Sequence, residues 1–504
     1  MWGFDLSLPF PKPVPKLALP GAIGIGATAA ALSGQCYGMF ALCFPAAFIV
    51  LCTVLPTTPP SGMRMTNVEH SMAVNTLYGP AQEVPPAYNV INAMTFHKKC
   101  PSLEQILEPL KRVVAANKRF RAVPEGWTWR EVELKVEDHV TQHKVATEAE
   151  AVALAKKLMQ VPEFSNTRPM WCLESIEAAQ GRSVVVMRIH HAVGDGIGLF
   201  QCMQQVLSKA DGTPIELPNM GMPPCKPMSL GKRVLYVLDC VRSFVKVVLN
   251  TKGPLETDTP WTDPTRKTLT GPRVRDVAFF PPLSLPYVKK VKAAAGATVN
   301  DVIFSAWAGA VRRHCEAHGF DVSQKILLRA NLAIALPRDF PKDHDPEDRL
   351  VNNFYFATIP AEVTDPTPLG RLKKNKASLD VVKKTTLAIA GKFVASHFGY
   401  WLPTKVKQDS LRDLMMRHHC VFSNVPGSPT DMRAYGELVD ELHGVFLNTV
   451  PQFLGISVGE KIFVNITADP NVIKGLTDEF PKLFVAELEA LGKEVGVDGS
   501  CLAP

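Results

Sequence analysis

Residues 183–200 read SVVVMRIHHAVGDGIGLF, and the fold turns on how this stretch is interpreted. Its first seven residues form a short apolar run rich in valine and isoleucine, bounded by polar segments, as expected of a buried strand. The run ends on two adjacent histidines, and Asp195 and Gly196 follow four and five positions after the second. Side chains alternate along a strand, so His190 shares a side with Arg188 and His191 shares one with Ile189. The two imidazoles therefore meet different surroundings. Two readings follow. In the plain one, one histidine is part of the core and Asp195 is the N-cap of the next helix. In the functional one, a general base sits at a strand end and the carboxylate fixes the local geometry.

The same alternation of strand and helix patterns extends in both directions. Upstream, AYNVINAMTF and WTWREVEL read as strands, SLEQILEPLKRVVAANKRF and EAEAVALAKKLMQV as amphipathic helices, and RPMWCLESIEA as a strand paired with the histidine strand. Downstream, LFQCMQQVLSKA reads as a helix. Residues 211–275 are rich in proline, glycine and basic residues, interrupted by the amphipathic stretch RVLYVLDCVRSFVKVVLN. That stretch suits either a membrane surface or packing on the protein. A second α/β half follows, with helices LPYVKKVKAAAG and NDVIFSAWAGAVRRHCEAHG and strands KILLRANLAIAL and NNFYFATIPA. The segments HHCVFSNVPG and EKIFVNITAD come next, and LTDEFPKLFVAELEALGKEV is the last helix. The expected organisation is a membrane anchor and Pro-rich stalk over 1–62, a first α/β half over 63–210, a crossover linker over 211–275 and a second α/β half over 276–504.

Composition narrows the function. The 504 residues are 46% apolar and 20% charged, which suits a globular protein with ample core. A net charge of +7 spread over the chain is weak support for nucleic acid and suits an anionic small molecule or lipid surface equally; no nucleic-acid partner is expected. The eleven cysteines show no paired spacing, and three (Cys36, Cys43, Cys52) share one apolar segment, so reduced thiols in a cytosol-facing protein are expected rather than a disulfide scaffold. Residues 17–62 carry no charge, and residues 36–55 are nearly all apolar, close to the roughly 20 residues that span a bilayer. One span, or a hairpin bent near residues 34–37, is the expected anchor; a hairpin buried in the soluble fold is the alternative.

Several motifs are decoys. GIGATA (24–29) fits a loose dinucleotide pattern but has no strand before it. GISVG (455–459) spells a nucleophile elbow, yet a strand-like segment follows and no histidine occurs after His443, so Ser457 is not expected to be a nucleophile. His314 and His318 have metal-like spacing but are read as a solvated helix face. His418 and His419, as neighbours on a strand, point to opposite faces. Asn465 in NIT falls within a strand rather than a surface loop.

HHAVGDG fits the HHxxxDG signature of the CoA-dependent acyltransferases, and its surroundings resemble the wax ester synthase/acyl-CoA:diacylglycerol O-acyltransferase family. NKRFRAV and RPMWCLESIEA resemble that family's segments ahead of the histidines. ATVNDVIFSAWAGAVRRH resembles its ND-containing helix, and ALPRD, VNNFYF and FSNVPGSP resemble its C-terminal blocks in order. The usual LD-x-x-x-PLW block reads EFSNTRPMW, the PLS segment has no clear match, and VNNFYF stands where Gly-Asn is common.

The resemblance implies an α/β, two-subdomain, chloramphenicol acetyltransferase-like fold. It also implies transfer of a fatty acyl group from acyl-CoA, a co-substrate with no bound cofactor, to a long-chain alcohol or diacylglycerol. His191 is then the general base, His190 its neighbour, and Asp195 a structural acid turned away from the base toward a basic residue, with Arg338 as candidate. Gly196 leaves room for a substrate channel. Asn300 is a candidate oxyanion donor, or the N-cap of its helix. Asn300, Asp301, Lys289 and Lys290 are candidates for CoA; the two lysines, with Lys292, also suit a solvated helix face. The expected location is the endoplasmic reticulum membrane with the catalytic part cytosolic, or a lipid droplet. A condensation-type enzyme using a carrier-protein thioester and a non-enzymatic lipid-droplet protein on the same fold are the alternatives.

Overall fold

The computed structural model describes residues 63–504 apart from 74–88, 161–163, 166, 216–228, 250–255, 263–273, 324–325, 337–344, 346, 348, 394, 396–416 and 449. The expected anchor and stalk, the GIGATA stretch and Arg338 lie outside the described residues. Among those described, no helix is long and apolar enough to cross a membrane.

The first half runs α1 (Asn67–Ala73), β1 (Val90–His97), α2 (Leu103–Ala116), the hairpin β2 (Ala122–Glu125) and β3 (Thr128–Glu131), β4 (Val140–Thr147), α3 (Glu148–Met159), β5 (Trp171–Gln180), β6 (Ser183–His190), α4 (Gly196–Cys202) and β7 (Leu207–Lys209). All eight residues of β6 are buried, Arg188 included, as its central place in the sheet requires. LFQCMQQVLSKA is not one helix. It breaks after Cys202 into a single 3₁₀ turn and then β7, because Leu207, Ser208 and Lys209 pair with a strand from the far end of the chain.

The second half follows α5 (Leu230–Leu249). It contains β8 (Asp276–Phe279), β9 (Leu283–Ser284), α6 (Leu285–Ala294), α7 (Val299–Ala317), β10 (Leu328–Ala335), β11 (Phe354–Ala361), α8 (Pro368–Lys384) and α9 (Leu387–Phe393). The chain then runs through β12 (Cys420–Val425), β13 (Met432–Ala434), β14 (Glu437–Leu438), β15 (Glu441–Phe446), β16 (Gln452–Val458), β17 (Lys461–Ala468) and α10 (Phe480–Glu494). Among the described residues its sheet is ordered β11-β10-β12-β16-β17-β8, with β9 on β17. Helix α7 starts with a reciprocal capping box between Thr298 and Asp301. It runs through the core with Phe304 and Trp307 against Phe422. Trp261, inside the expected linker, is fully buried in this same core against Phe480.

The halves exchange strands. The first sheet is ordered β15-β1-β6-β5-β4, so its edge strand β15 comes from the second half, antiparallel to β1 with Asn92 opposite Val445. A small third sheet, β14-β13-β7, joins them again. Main-chain pairing thus sets residues 441–446 one strand away from β6, with β1 between them.

Val445 is fully buried among Met94, Phe96, Val184 and Val186. Val445→Asp places an uncompensated carboxylate there, a change that costs several kcal/mol. The expected result is loss of near-UV circular dichroism from both halves in a single step at lower urea. Two separated transitions, with only one half affected, would show that the halves do not depend on the exchange.

Candidate active site

The β6 strand ends at His190, and His191 opens the turn that follows. Two backbone bonds set this turn: the His191 N–H donates to the Asn89 carbonyl at 2.6 Å, and the Val193 N–H donates to the His190 carbonyl at 2.9 Å. The different surroundings expected for the two histidines are present. His190 is buried edge-on to Phe164, on the side where the Arg188 guanidinium also meets that ring. Its Nδ1 accepts the Ala192 N–H at 3.2 Å. Burial, with the His191 ring adding to it, pushes its pKa down to about 3. A neutral, buried imidazole used as a backbone acceptor is a structural group.

His191 is half-buried and framed by Phe354 of β11 and Phe446 of β15, with ring centroids 5.3 and 5.5 Å away. Its Nδ1 bonds the Asn352 side-chain oxygen at 2.8 Å, while Nε2 has no hydrogen bond among the described residues. Burial lowers its pKa, and Asp195 and Asn352 only partly oppose this. The ring is therefore neutral at neutral pH with one nitrogen held and the other open, which is the state a general base needs.

Asp195 caps α4, with Oδ1 accepting the Gly198 N–H at 3.0 Å as one reading of the sequence held. Its Oδ2 accepts the Asn353 N–H at 2.8 Å, so the acid also clamps the second half onto the histidine turn. Gly196 is exposed, and a Cβ there would meet nothing within 4 Å, in keeping with open space on that side. Gly194 is the tight position: a Cβ would lie 2.5 Å from Leu350 Cδ1, in a buried side chain.

Asn300 is not a helix cap; Thr298 holds that place. Its Oδ1 accepts the Asn424 amide at 2.6 Å, which leaves its own NH2 without a bond among the described residues. Asp301, expected to meet CoA, is fully buried. Its carboxylate accepts the Thr298 N–H and bonds Lys383, so it is a capping and ion-pair group; facing polyanionic CoA it would in any case repel. Lys289 and Lys290 are exposed on α6. The decoys resolve as structure. Ser457 lies in β16 and accepts the Gly427 N–H, and Asn465 is buried with its amide on the Gly444 carbonyl. His314 is buried rather than solvated, bonded to the Lys474 carbonyl at 2.9 Å. Among the described residues no group of three His, Cys, Asp or Glu could hold a metal.

Three residues around His191 were not singled out by the sequence. Asn352 was present only as part of VNNFYF. Glu69 lies in α1, and TNVE is legible as a capping box, confirmed by the Glu69 N–H on Thr66 Oγ1 at 3.2 Å and the Thr66 N–H on Glu69 Oε2 at 2.8 Å. Arg119, the first arginine of RFR, is buried against Glu69 at 2.8 Å and donates to the Val193 carbonyl of the histidine turn at 3.1 Å. Beyond those motifs, nothing local marks them as neighbours of His191.

Two α/β halves that exchange strands, with HHxxxDG at a strand end on their junction, define the class of two-subdomain, condensation-like acyltransferase folds. Family models agree: the wax ester synthase/diacylglycerol acyltransferase catalytic domain matches residues 70–303, and the C-terminal domain of the same family matches 351–491. The chain belongs to this family. A Mycobacterium tuberculosis protein provisionally named a diacylglycerol O-acyltransferase is 28% identical over 220 residues, covering 38% of this chain and 42% of that protein. The chain thus spans less than half the length of that relative. The wax ester synthase/diacylglycerol acyltransferase of Marinobacter aquaeolei VT8 superposes with a TM-score of 0.54 at 16% identity, over 86% of this chain and 100% of that one. The first condensation domain of the CDA synthetase gives 0.54 at 11% identity, over 88% and 100%. Both share the fold.

With His190 and His191 held below their ordinary value of 6.5, the unfolded chain binds protons that the folded one refuses. Folding stability is accordingly expected to fall as pH drops below 6.5 and to recover as pH rises. His190→Gln should flatten that slope between about pH 6.5 and 4.5, the range in which an ordinary histidine charges. Urea melts at stepped pH measure this; an unchanged slope would mean His190 is charged in the fold.

Proposed function

We propose that the protein transfers a fatty acyl group from acyl-CoA to a long-chain alcohol or to diacylglycerol, giving wax ester or triacylglycerol, with His191 as the general base. The observation that carries this is the His191 ring, fixed at Nδ1 by Asn352 and with Nε2 open among the described residues. The acceptor hydroxyl gives its proton to Nε2 as its oxygen attacks the thioester carbonyl, forming a C–O bond and a tetrahedral oxyanion. Collapse breaks the C–S bond, and the imidazolium returns the proton to the departing CoA thiolate. The Asn300 amide, oriented by Asn424, is our candidate donor to the oxyanion. The exposed Lys289 and Lys290 suit the CoA phosphates. No bound cofactor enters this scheme. A carrier-protein thioester is the less favoured donor, because the family models are those of acyltransferases named for wax ester and diacylglycerol chemistry. A non-catalytic droplet protein has no need of a base held in this state.

Membranes containing the protein, given labelled acyl-CoA with hexadecanol or with diacylglycerol, should yield wax ester, triacylglycerol or both. His191→Ala should reduce the yield by at least about 10²-fold, the lower end of general base contributions. A folded His191→Ala variant with full activity would overturn the assignment.

The lipid acceptors and the uncharged residues 17–62 support a site of action on the cytosolic face of the endoplasmic reticulum or on a lipid droplet. Helix α5 adds to this. Phe244 and Ser243 of one face are buried, and Asp239 accepts from Thr386. Val234, Leu235, Leu238 and Val245 on another face are 52%, 66%, 59% and 37% exposed, among exposed Lys232, Arg242 and Lys246. An apolar strip flanked by cations complements an anionic lipid surface. Leu235→Glu with Leu238→Glu should lower turnover of diacylglycerol presented in anionic vesicles by about tenfold or more, since each leucine carries roughly 1.5–3 kcal/mol of burial. Turnover of a short, dispersible alcohol should be unchanged. Equal losses on both acceptors would place α5 in the fold rather than at the surface.

A further inference from the structure

Glu69 and Arg119 form a fully buried ion pair beside the histidine turn, with relative exposures of 0% and 1%. Removing two charges from water is costly, and such a pair is weak evidence for stability alone. What its oxygens and nitrogens touch explains the placement. Glu69 Oε1 accepts from Arg119 Nη1 at 2.8 Å, from the Asn352 backbone N–H at 2.9 Å and from the Asn352 side-chain NH2 at 3.3 Å. The same NH2 donates to the His191 carbonyl at 2.8 Å and to the Ala192 carbonyl at 3.4 Å. Arg119 Nη1 also donates to the Val193 and Ala192 carbonyls, at 3.1 and 3.4 Å. The Lys392 ammonium donates to the Asn352 carbonyl at 2.9 Å.

One end of the Asn352 amide is thus surrounded by acceptors only: a carboxylate and two carbonyls. An amide presents an acceptor at one end and a donor at the other, so the NH2 must lie at this end and Oδ1 at the other. Oδ1 can only accept. The His191 Nδ1 that meets it at 2.8 Å must therefore carry the ring proton, and the lone pair of the neutral imidazole falls on Nε2. The Arg119 guanidinium, with N–H groups from Thr66 and Asn352, outweighs the effect of burial and holds Glu69 below its ordinary value, so the carboxylate remains an acceptor across the working pH range.

We propose that Glu69 and Asn352 are positioning residues for the reaction: the buried carboxylate fixes the orientation of the Asn352 amide, and the amide selects the Nδ1–H tautomer of His191 and so aims the basic Nε2 at the substrates. The chain carboxylate–amide–imidazole joins three segments far apart in sequence, and neither Glu69 nor Asn352 has to touch a reacting atom. The kinetic part rests on His191 being the base. The tautomer part does not.

The test is ¹⁵N NMR of protein labelled at histidine, with the His191 signals assigned by their loss in His191→Gln. In the unsubstituted protein at neutral pH the His191 pattern should be that of a single Nδ1–H tautomer. Asn352→Leu, of similar volume and unable to accept, should give a mixture of tautomers, and Glu69→Gln, which keeps the shape and loses the charge, should move the pattern the same way. In acyl transfer, Asn352→Leu should lower kcat by about tenfold or more with KM for acyl-CoA within about threefold, as expected when a base is present in the wrong tautomer. An Nε2–H tautomer in the unsubstituted protein overturns the proposal without any variant being needed. So does an unchanged Nδ1–H pattern with unchanged kcat in folded Asn352→Leu. A changed tautomer with no acyl transfer by the unsubstituted protein would retain the positioning chain and reject the reaction.

Discussion

The hydrogen bond between Asn352 and His191 crosses 161 positions of the chain, and the geometry of the candidate site depends on it. The ring is placed by the end of β6, but a strand end leaves an imidazole free to turn about its side-chain torsions. Asn352 removes that freedom, and its own amide is held by Glu69 and by the carbonyls of the histidine turn. Asp195 works in the same sense from the other side of the turn, capping α4 with one oxygen and holding the Asn353 N–H with the other. Residues 352 and 353, neighbours in one segment, thus brace both ends of HHAVGD. The second half of the chain completes the site without supplying the base.

Strand exchange makes this bracing rigid. Because β15 is paired with β1 along six residue pairs, Phe446 arrives at the His191 ring as part of a sheet rather than as a docked side chain. Phe354 comes from β11 in the other sheet. The imidazole lies where the edges of two sheets meet, apolar around its plane and polar only at Nδ1. That asymmetry keeps the ring neutral: desolvation disfavours the charged form, and the nearby Asp195 and Asn352 recover only part of it. The same physics at His190, with no acid among its influences, pushes that ring down as well and leaves it an inert group.

Much of this was legible locally. The buried character of β6, the N-cap at Asp195, and the α/β alternation of each half all rest on periodicity or on hydrogen bonds three residues apart. The Thr66–Glu69 capping box was equally readable, yet its acid has a second use that no local pattern reports. LFQCMQQVLSKA failed as one helix because pairing with β13 outweighed a helical pattern. Asp301 failed as a ligand for CoA because its carboxylate is used by its own helix terminus and by Lys383.

The amino-acid sequence by itself determined many of the elements, the family and which histidine pair stands at a strand end, because these are written in spacings of two to four residues and in ordered motifs. Only the tertiary structure decided that β15 belongs to the first sheet, that Trp261 is core, and that Glu69, Arg119 and Asn352 converge on His191. Those facts concern distant partners: 353 positions separate Asn92 from Val445, and 283 separate Glu69 from Asn352. Such a contact leaves no period in the chain, and a buried glutamate, arginine or asparagine looks in sequence like any solvated one. The physical difference is the loss of water, and that is created only when the two halves close.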